Sequence, residues 1–218
     1  MNVLVISVDV LVVSKTRMRQ GICVGGVTDN GYFVRLMDKN GYYPHDDSTN
    51  YEIRDIWEIA FKRPEYPRSL PHSEDICVMG RKFKGVLHSS ISMIDFLDSK
   101  NVFIYRGCLS ALFESKLRFT HNGAGFIDKH DIPQNSVCFW VPDKELFSIS
   151  DYNGRIRYNY RHDDRRRLSI SYVGLSHPVN IIPRGMLLRM SLAHWWKPVG
   201  SNDDERCYLL LSGWFNDE

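Results

Sequence analysis

Leu4-Val5-Ile6-Ser7-Val8-Asp9-Val10-Leu11-Val12 sets apolar side chains at every second position, Leu4, Ile6, Val8, Val10 and Val12, with Ser7 and Asp9 on the other side. A period of two marks a strand with one face buried; a helix would space these residues by three and four. The same signature recurs outward from this segment. Ile22 to Val27 and Tyr32 to Met37 are joined by Thr28-Asp29-Asn30-Gly31, whose Asn-Gly step suits a tight hairpin. A strand from Ile56 to Phe61 follows, and Pro64, Pro67 and Pro71 then break the pattern into a connecting loop. Between Ser89 and Leu117 the period lengthens. Ile91, Ile94 and Leu97 share a helical face behind a candidate Ser89-Ser90 cap, and Leu109, Leu112 and Leu117 predict a second helix or turn. Strand signals return at Val137 to Val141, Leu146 to Ile149, Ile156 to Tyr160, Leu168 to Val173, Gly185 to Ala193 and Cys207 to Trp214. Asp151-Tyr152-Asn153-Gly154 is a second hairpin turn, and Trp214 is expected in the core. Two groups of short strands around a helical insert predict a mainly β chain built as two small barrels, residues 1–88 and 89–218, with the insert near 89–118.

A chain of 218 residues buries enough apolar surface for one large or two small cores without staples. Cys23, Cys77, Cys108, Cys138 and Cys207 are odd in number and widely spaced, and form no Cys-x-x-Cys pair, which reads as reduced thiols and predicts a cytoplasmic protein without structural zinc. The apolar start is interrupted by Asp9 and is too short to span a bilayer, so no membrane association is expected. A net charge of only +2 means that binding to phosphate must come from local clusters.

The densest cluster is Arg155, Arg157, Arg161, Arg165, Arg166 and Arg167, offset by Asp151, Asp163 and Asp164. In a strand Arg155 and Arg157 share one face, and Ile156, Tyr158 and Tyr160 the other. Such a hairpin either grips phosphates beside tyrosine stacking platforms or is a solvated element whose Arg and Asp residues pair with each other. Lys15, Arg17 and Arg19 lie in the predicted loop after the opening strand, with Arg35 on the neighbouring hairpin. They either track a nucleic-acid backbone or only keep a loop soluble. Trp195 and Trp196 point opposite ways in an extended segment: one is exposed as a stacking contact, with Trp195 the candidate, or both are buried. His72, Glu74 and Asp75 could form a metal or acid–base site, but no further ligand has suitable spacing, which favours carboxylates that hold backbone amides or an arginine. His121-Asn122-Gly123-Ala124-Gly125 lacks the third glycine and the ending of a phosphate loop and reads as a turn.

Several segments together resemble one family. Ser14-Lys15, Cys23-Val24-Gly25-Gly26, Phe33-Val34-Arg35-Leu36 and Leu70-Pro71-His72-Ser73-Glu74-Asp75 resemble the first half of the dual OB-containing domain. Tyr172-Val173-Gly174, Arg189-Met190-Ser191-Leu192-Ala193-His194-Trp195-Trp196 and Leu211-Ser212-Gly213-Trp214 are similar to its second half. The resemblance implies two five-stranded OB-type barrels packed together in a prokaryotic protein that binds DNA or RNA, connected with antiviral defence or nucleic-acid processing. It carries over no catalytic residue and no cofactor. The expectation is therefore a non-catalytic nucleic-acid-binding module, and its rival is a protein-interaction or small-nucleotide-sensing module within a larger complex.

Overall fold

The computed structural model describes residues 5–18, 21–44, 50–65, 69–151, 153–163, 167–200 and 203–216. Leu4, at the head of the opening row, lies outside them. The chain forms two compact units, Met1–Val102 and Phe103–Glu218.

In the first unit, β1 (Ile6–Arg17), β2 (Ile22–Thr28), β3 (Phe33–Met37), β4 (Asp55–Lys62) and β5 (Asp75–Val86) close a barrel in the order β1-β2-β3-β5-β4. Closure depends on β1 serving two neighbours: Ile6 to Leu11 pair with β4, and Val10 to Arg17 pair with β2. The shared middle is buried on both sides, from Val10 to Ser14, across a bulge between Val12 and Ser14. Strict alternation thus fails where the strand turns the barrel corner, and Ile6, at the strand's start, is exposed. Gly26 is glycine for space, since a Cβ there would overlap Val10 Cγ1. The expected strand signals miss β5 entirely: only its beginning is buried, and Met79 to Lys84 are exposed.

The helix lies in the first unit, so the division falls after the expected 88/89 boundary. α1 (Met93–Ser99) is capped by Ser92, whose Oγ accepts the Asp95 N–H at 2.9 Å, and not by Ser89-Ser90. It buries Met93 and Leu97, while Ile91 precedes it in the open. Local contacts hold this segment to its unit: the Arg54 guanidinium donates to the carbonyls of His88 (3.0 Å) and Ile91 (2.8 Å). The second stretch, expected as a helix or turn, is one 3₁₀ turn, Leu109–Ala111, followed by a tight turn. Phe113, Glu114 and Ser115 have φ of 52°, 61° and 62°, a left-handed run that buries Leu109, Leu112 and Phe113.

The second unit contains β6 (Ile104–Gly107), β7 (Arg118–Phe119), β8 (Gly125–Ile127), β9 (Val137–Pro142), β10 (Leu146–Ser150), β11 (Ile156–Arg161), β12 (Arg167–Tyr172), β13 (Ile181–Ile182), β14 (Leu187–Leu192) and β15 (Cys207–Phe215). Its pairings repeat those of the first. β10, β11 and β12 form an antiparallel meander, β12 pairs parallel with β15 as β3 does with β5, and β15 leads through β14 to β9. β9 and β10 are consecutive, so together they play the part of β1, broken at residues 143–145. β6, β7, β8 and β13 are added at the margins, so this unit has more strands than the five expected. Its core is built on Trp140, Tyr158, Tyr160, Leu168, Leu188, Met190 and Leu211, each fully buried. Trp214 only packs partly against that core, 5.2 Å from the Tyr172 ring, rather than lying within it.

Among the described residues no helix is long and apolar enough to cross a membrane.

Candidate nucleic-acid interface

The parity of β11 decides what the second unit shows to solvent. Tyr158 and Tyr160 point inward and are fully buried, with Tyr158 Oη donating to the Val179 carbonyl (2.7 Å) and Tyr160 Oη to Asp143 Oδ1 (2.6 Å). Burial pushes both phenols above the ordinary tyrosine pKa, and for Tyr160 the Asp143 carboxylate adds to this. These rings are core and offer no stacking platform to a strand, which corrects that part of the expectation.

Arg157, Asn159 and Arg161 take the outward side. Across the β11–β12 ladder Arg157 lies opposite Ser171, Asn159 opposite Ser169, and Arg161 directly opposite Arg167. Both Arg161 and Arg167 are exposed. Arg157 lies along its own sheet, half-buried, with Nε donating to Ser169 Oγ at 2.8 Å. On the other flank Ile149 faces Arg157, Phe147 faces Asn159, and Ile181 on β13 faces Phe147. These three apolar residues are 41%, 44% and 48% exposed, which makes them a continuous open row beside the arginines. Arg155 sits exposed at the β10–β11 turn. There Asp151 Oδ1 accepts the amide N–H groups of Asn153 (2.8 Å) and Arg155 (2.9 Å) and closes the turn. Arg165 and Arg166 lie outside the described residues.

The other predicted cations are placed differently. β1 continues through Arg17, so Lys15 is on a strand and not in a loop, and its ammonium pairs with Glu52 at 2.9 Å. Arg17 is exposed, and Arg19 lies outside the described residues. Arg35 is 7% exposed and cannot meet a nucleic acid. Its guanidinium contacts Asp75 Oδ1 at 2.9 Å and Glu74 Oε2 at 3.7 Å, because the parallel β3–β5 register sets Arg35 against Asp75. Burial would lower the Arg35 pKa, but Cys23, Asp75, Glu74 and Tyr43 together raise it. His72 is buried as well. Among the described residues no group of three or more His, Cys, Asp or Glu is arranged to hold a metal ion.

Of the two tryptophans, Trp195 is half-buried against the second core and Trp196 is 54% exposed, which reverses the assignment of Trp195 as the outward ring. Trp196 shares its loop with Asp203, Asp204 and Glu205, a poor setting for a phosphate backbone. The His121–Gly125 segment is a turn: Gly123 has φ +78°, and a Cβ there would overlap the Arg167 carbonyl. Sequence reasoning missed one exposed basic stretch, Arg81-Lys82-Phe83-Lys84 in β5, although four consecutive cationic and aromatic residues were a visible signal.

No curated protein matches the chain in sequence. Among solved structures it is similar to the HINa domain of Ifi202 in complex with 20-base-pair double-stranded DNA, at 9% identity and a TM-score of 0.37 over 96% of this chain and 93% of that one. It is similar to a murine DNA-binding protein bound to double-stranded DNA, at 11% identity and a TM-score of 0.34 over 94% and 89%. It is also similar to the p204 HINb domain, at 13% identity and a TM-score of 0.31 over 93% and 95%. The family model of the dual OB-containing domain matches residues 8–214, nearly the whole length, and the chain belongs to that family.

Proposed function

We propose that this chain is a non-catalytic nucleic-acid-binding module and that the outward face of β10, β11 and β12 is its contact surface. By strand order β11 and β12 correspond to β2 and β3 of the first unit's closed barrel, and the second and third strands of OB-type barrels form the face that holds oligonucleotides. The observation that carries the reading is the register placing Arg161 directly opposite Arg167, with Arg157 on the same face. A phosphate over this register meets two guanidinium groups at once, as two charge-assisted contacts. Phe147, open beside them, supplies a ring on which a base can stack. A cytoplasmic setting and a part in prokaryotic defence or nucleic-acid processing belong to the same proposal and rest on the family resemblance.

The test is the double substitution Arg161→Ala, Arg167→Ala, assayed with single-stranded, duplex and hybrid oligonucleotides at two salt concentrations. Affinity should fall similarly across sequences. The slope of log affinity against log salt should flatten by about 0.7 per lost contact for a single strand, or about 0.9 for a duplex. A wild-type chain that binds none of the three, or a double variant that keeps both affinity and slope, overturns the proposal.

A further inference from the structure

The first unit contains a built cation that the strand-binding face does not use. The three cations of the exposed β5 stretch differ in their partners. Lys84 pairs with Asp9 at 2.7 Å, and Lys82 lies opposite Glu58 across the β4–β5 ladder. Arg81 has no carboxylate partner among the described residues and rests on rings instead, its Cζ 4.6 Å from the Tyr51 centroid and 5.3 Å from that of Trp57. Both rings are buried, at 3% and 8% exposure, and meet edge to face at 5.2 Å. The shelf is fixed: the Trp57 indole N–H donates to Asp55 Oδ2 (3.2 Å), which also accepts the Glu52 amide N–H (2.8 Å). Burial raises the pKa of the Tyr51 phenol, against a hydrogen bond from Arg81 and its charge, which both lower it. A guanidinium stacked on a rigid aromatic shelf has its conformation set in advance.

Arg81 borders a pocket of about 240 Å³ whose lining includes Met37, Lys39, Pro44 and Met79. Lys39 is exposed. Among the described lining residues the one carboxylate is Asp38, whose Oδ1 accepts the amide N–H groups of Asn40 (2.8 Å) and Tyr42 (2.9 Å). Two cations, two thioethers and a proline therefore surround a space below the roughly 300–1,000 Å³ of drug-sized sites, enough for one ring system and its anionic group.

We infer that this pocket binds a single nucleoside monophosphate unit, with the phosphate on the Arg81 fork and Lys39 and the base between Met37, Met79 and Pro44. The unit can come from a free nucleotide or from the phosphorylated end of a strand. The site stands without the proposed face of the second unit.

The experiment is calorimetric titration of the full chain with the nucleoside 5′-monophosphates, the matching nucleosides, inorganic phosphate, and a trinucleotide with and without a 5′-phosphate. A monophosphate should bind more tightly than its nucleoside or phosphate alone. Arg81→Ala should weaken it at least about tenfold, the loss of one charge-assisted contact. Arg81→Lys, which keeps charge and fold but loses the fork, and Lys39→Ala should weaken it less. Preference for the free monophosphate or for the phosphorylated trinucleotide identifies the source, and either supports the site. Monophosphates that bind no better than nucleosides, or an Arg81→Lys variant indistinguishable from wild type, overturn it.

Discussion

Arg35 shows how a charge that reads as a ligand contact becomes a structural element. Its guanidinium is enclosed with Asp75 and Glu74, and removing the cation leaves two carboxylates in a low-dielectric setting without it. Arg35→Met should cost about 3–5 kcal/mol. Urea denaturation measures this, and an unshifted midpoint would mean that water reaches the cluster. The cysteines sort by burial in the same way. Burial drives the Cys138 thiol well above its ordinary pKa, raises Cys207 to about 12 and lifts Cys77 as well. Cys108 alone is half-exposed, with its Sγ 3.4 Å from His162 Nδ1 and 3.2 Å from Ser110 Oγ. Iodoacetamide at mildly alkaline pH should therefore label Cys108 first, as peptide mass spectrometry would show. Early labelling of Cys138 instead would mean that the second core opens readily.

At the level of elements, the turn Leu112–Ser115 shows what periodicity leaves unread. Leucines at 109, 112 and 117 fit a helix, yet three successive non-glycine residues are left-handed, a conformation that persists only when neighbours fix it. Glu114 does this: its amide N–H donates to Tyr105 Oη (2.9 Å), Oε1 accepts the Gln134 amide N–H (3.0 Å), and Oε2 meets Lys116 (2.6 Å). Burial alone would raise the carboxyl's pKa, but the Lys116 and Gln134 hydrogen bonds hold it below its ordinary 4.5. A depressed folded pKa contributes stability that is complete above 4.5 and disappears as pH falls through the lower folded value. Glu114→Gln should flatten that acid limb in thermal melts from neutral pH downward. An equally steep limb in the variant would place the acid sensitivity elsewhere. At α1, Ser92→Ala should cost about 1 kcal/mol as the Asp95 amide loses its cap, whereas Ser89→Ala should have almost no effect.

For the whole molecule, one strand order occurs twice: in the first unit a continuous β1 closes it into a barrel, and in the second β9 and β10 stand at separate places in a sheet that is not closed by pairing between them. The break is held by side chains: Asp143 accepts the Tyr160 hydroxyl, and Lys144 Nζ donates to the carbonyls of Arg161 (3.1 Å) and His162 (2.9 Å). Trp140 ends beneath it, fully buried, its indole N–H on the Gly107 carbonyl at 2.8 Å. Trp140→Ala should cost about 3–5 kcal/mol and strip hydrogen-exchange protection from β9, β11 and β14; retained protection would mean that the ring fills no core. The amino-acid sequence by itself determined the β character, the two hairpin turns at Asn30-Gly31 and Asn153-Gly154, and the inward parity of Tyr158 and Tyr160, because each is encoded by residues within a few positions of one another. Only the tertiary structure decided that β3 meets β5 and β12 meets β15, that Arg35 is buried against carboxylates about forty positions away, and that Arg81 stays open on an aromatic shelf. Parallel pairing and ion pairing across such separations depend on which strands become neighbours after loop closure, and a period of two gives a strand its faces without naming its partners.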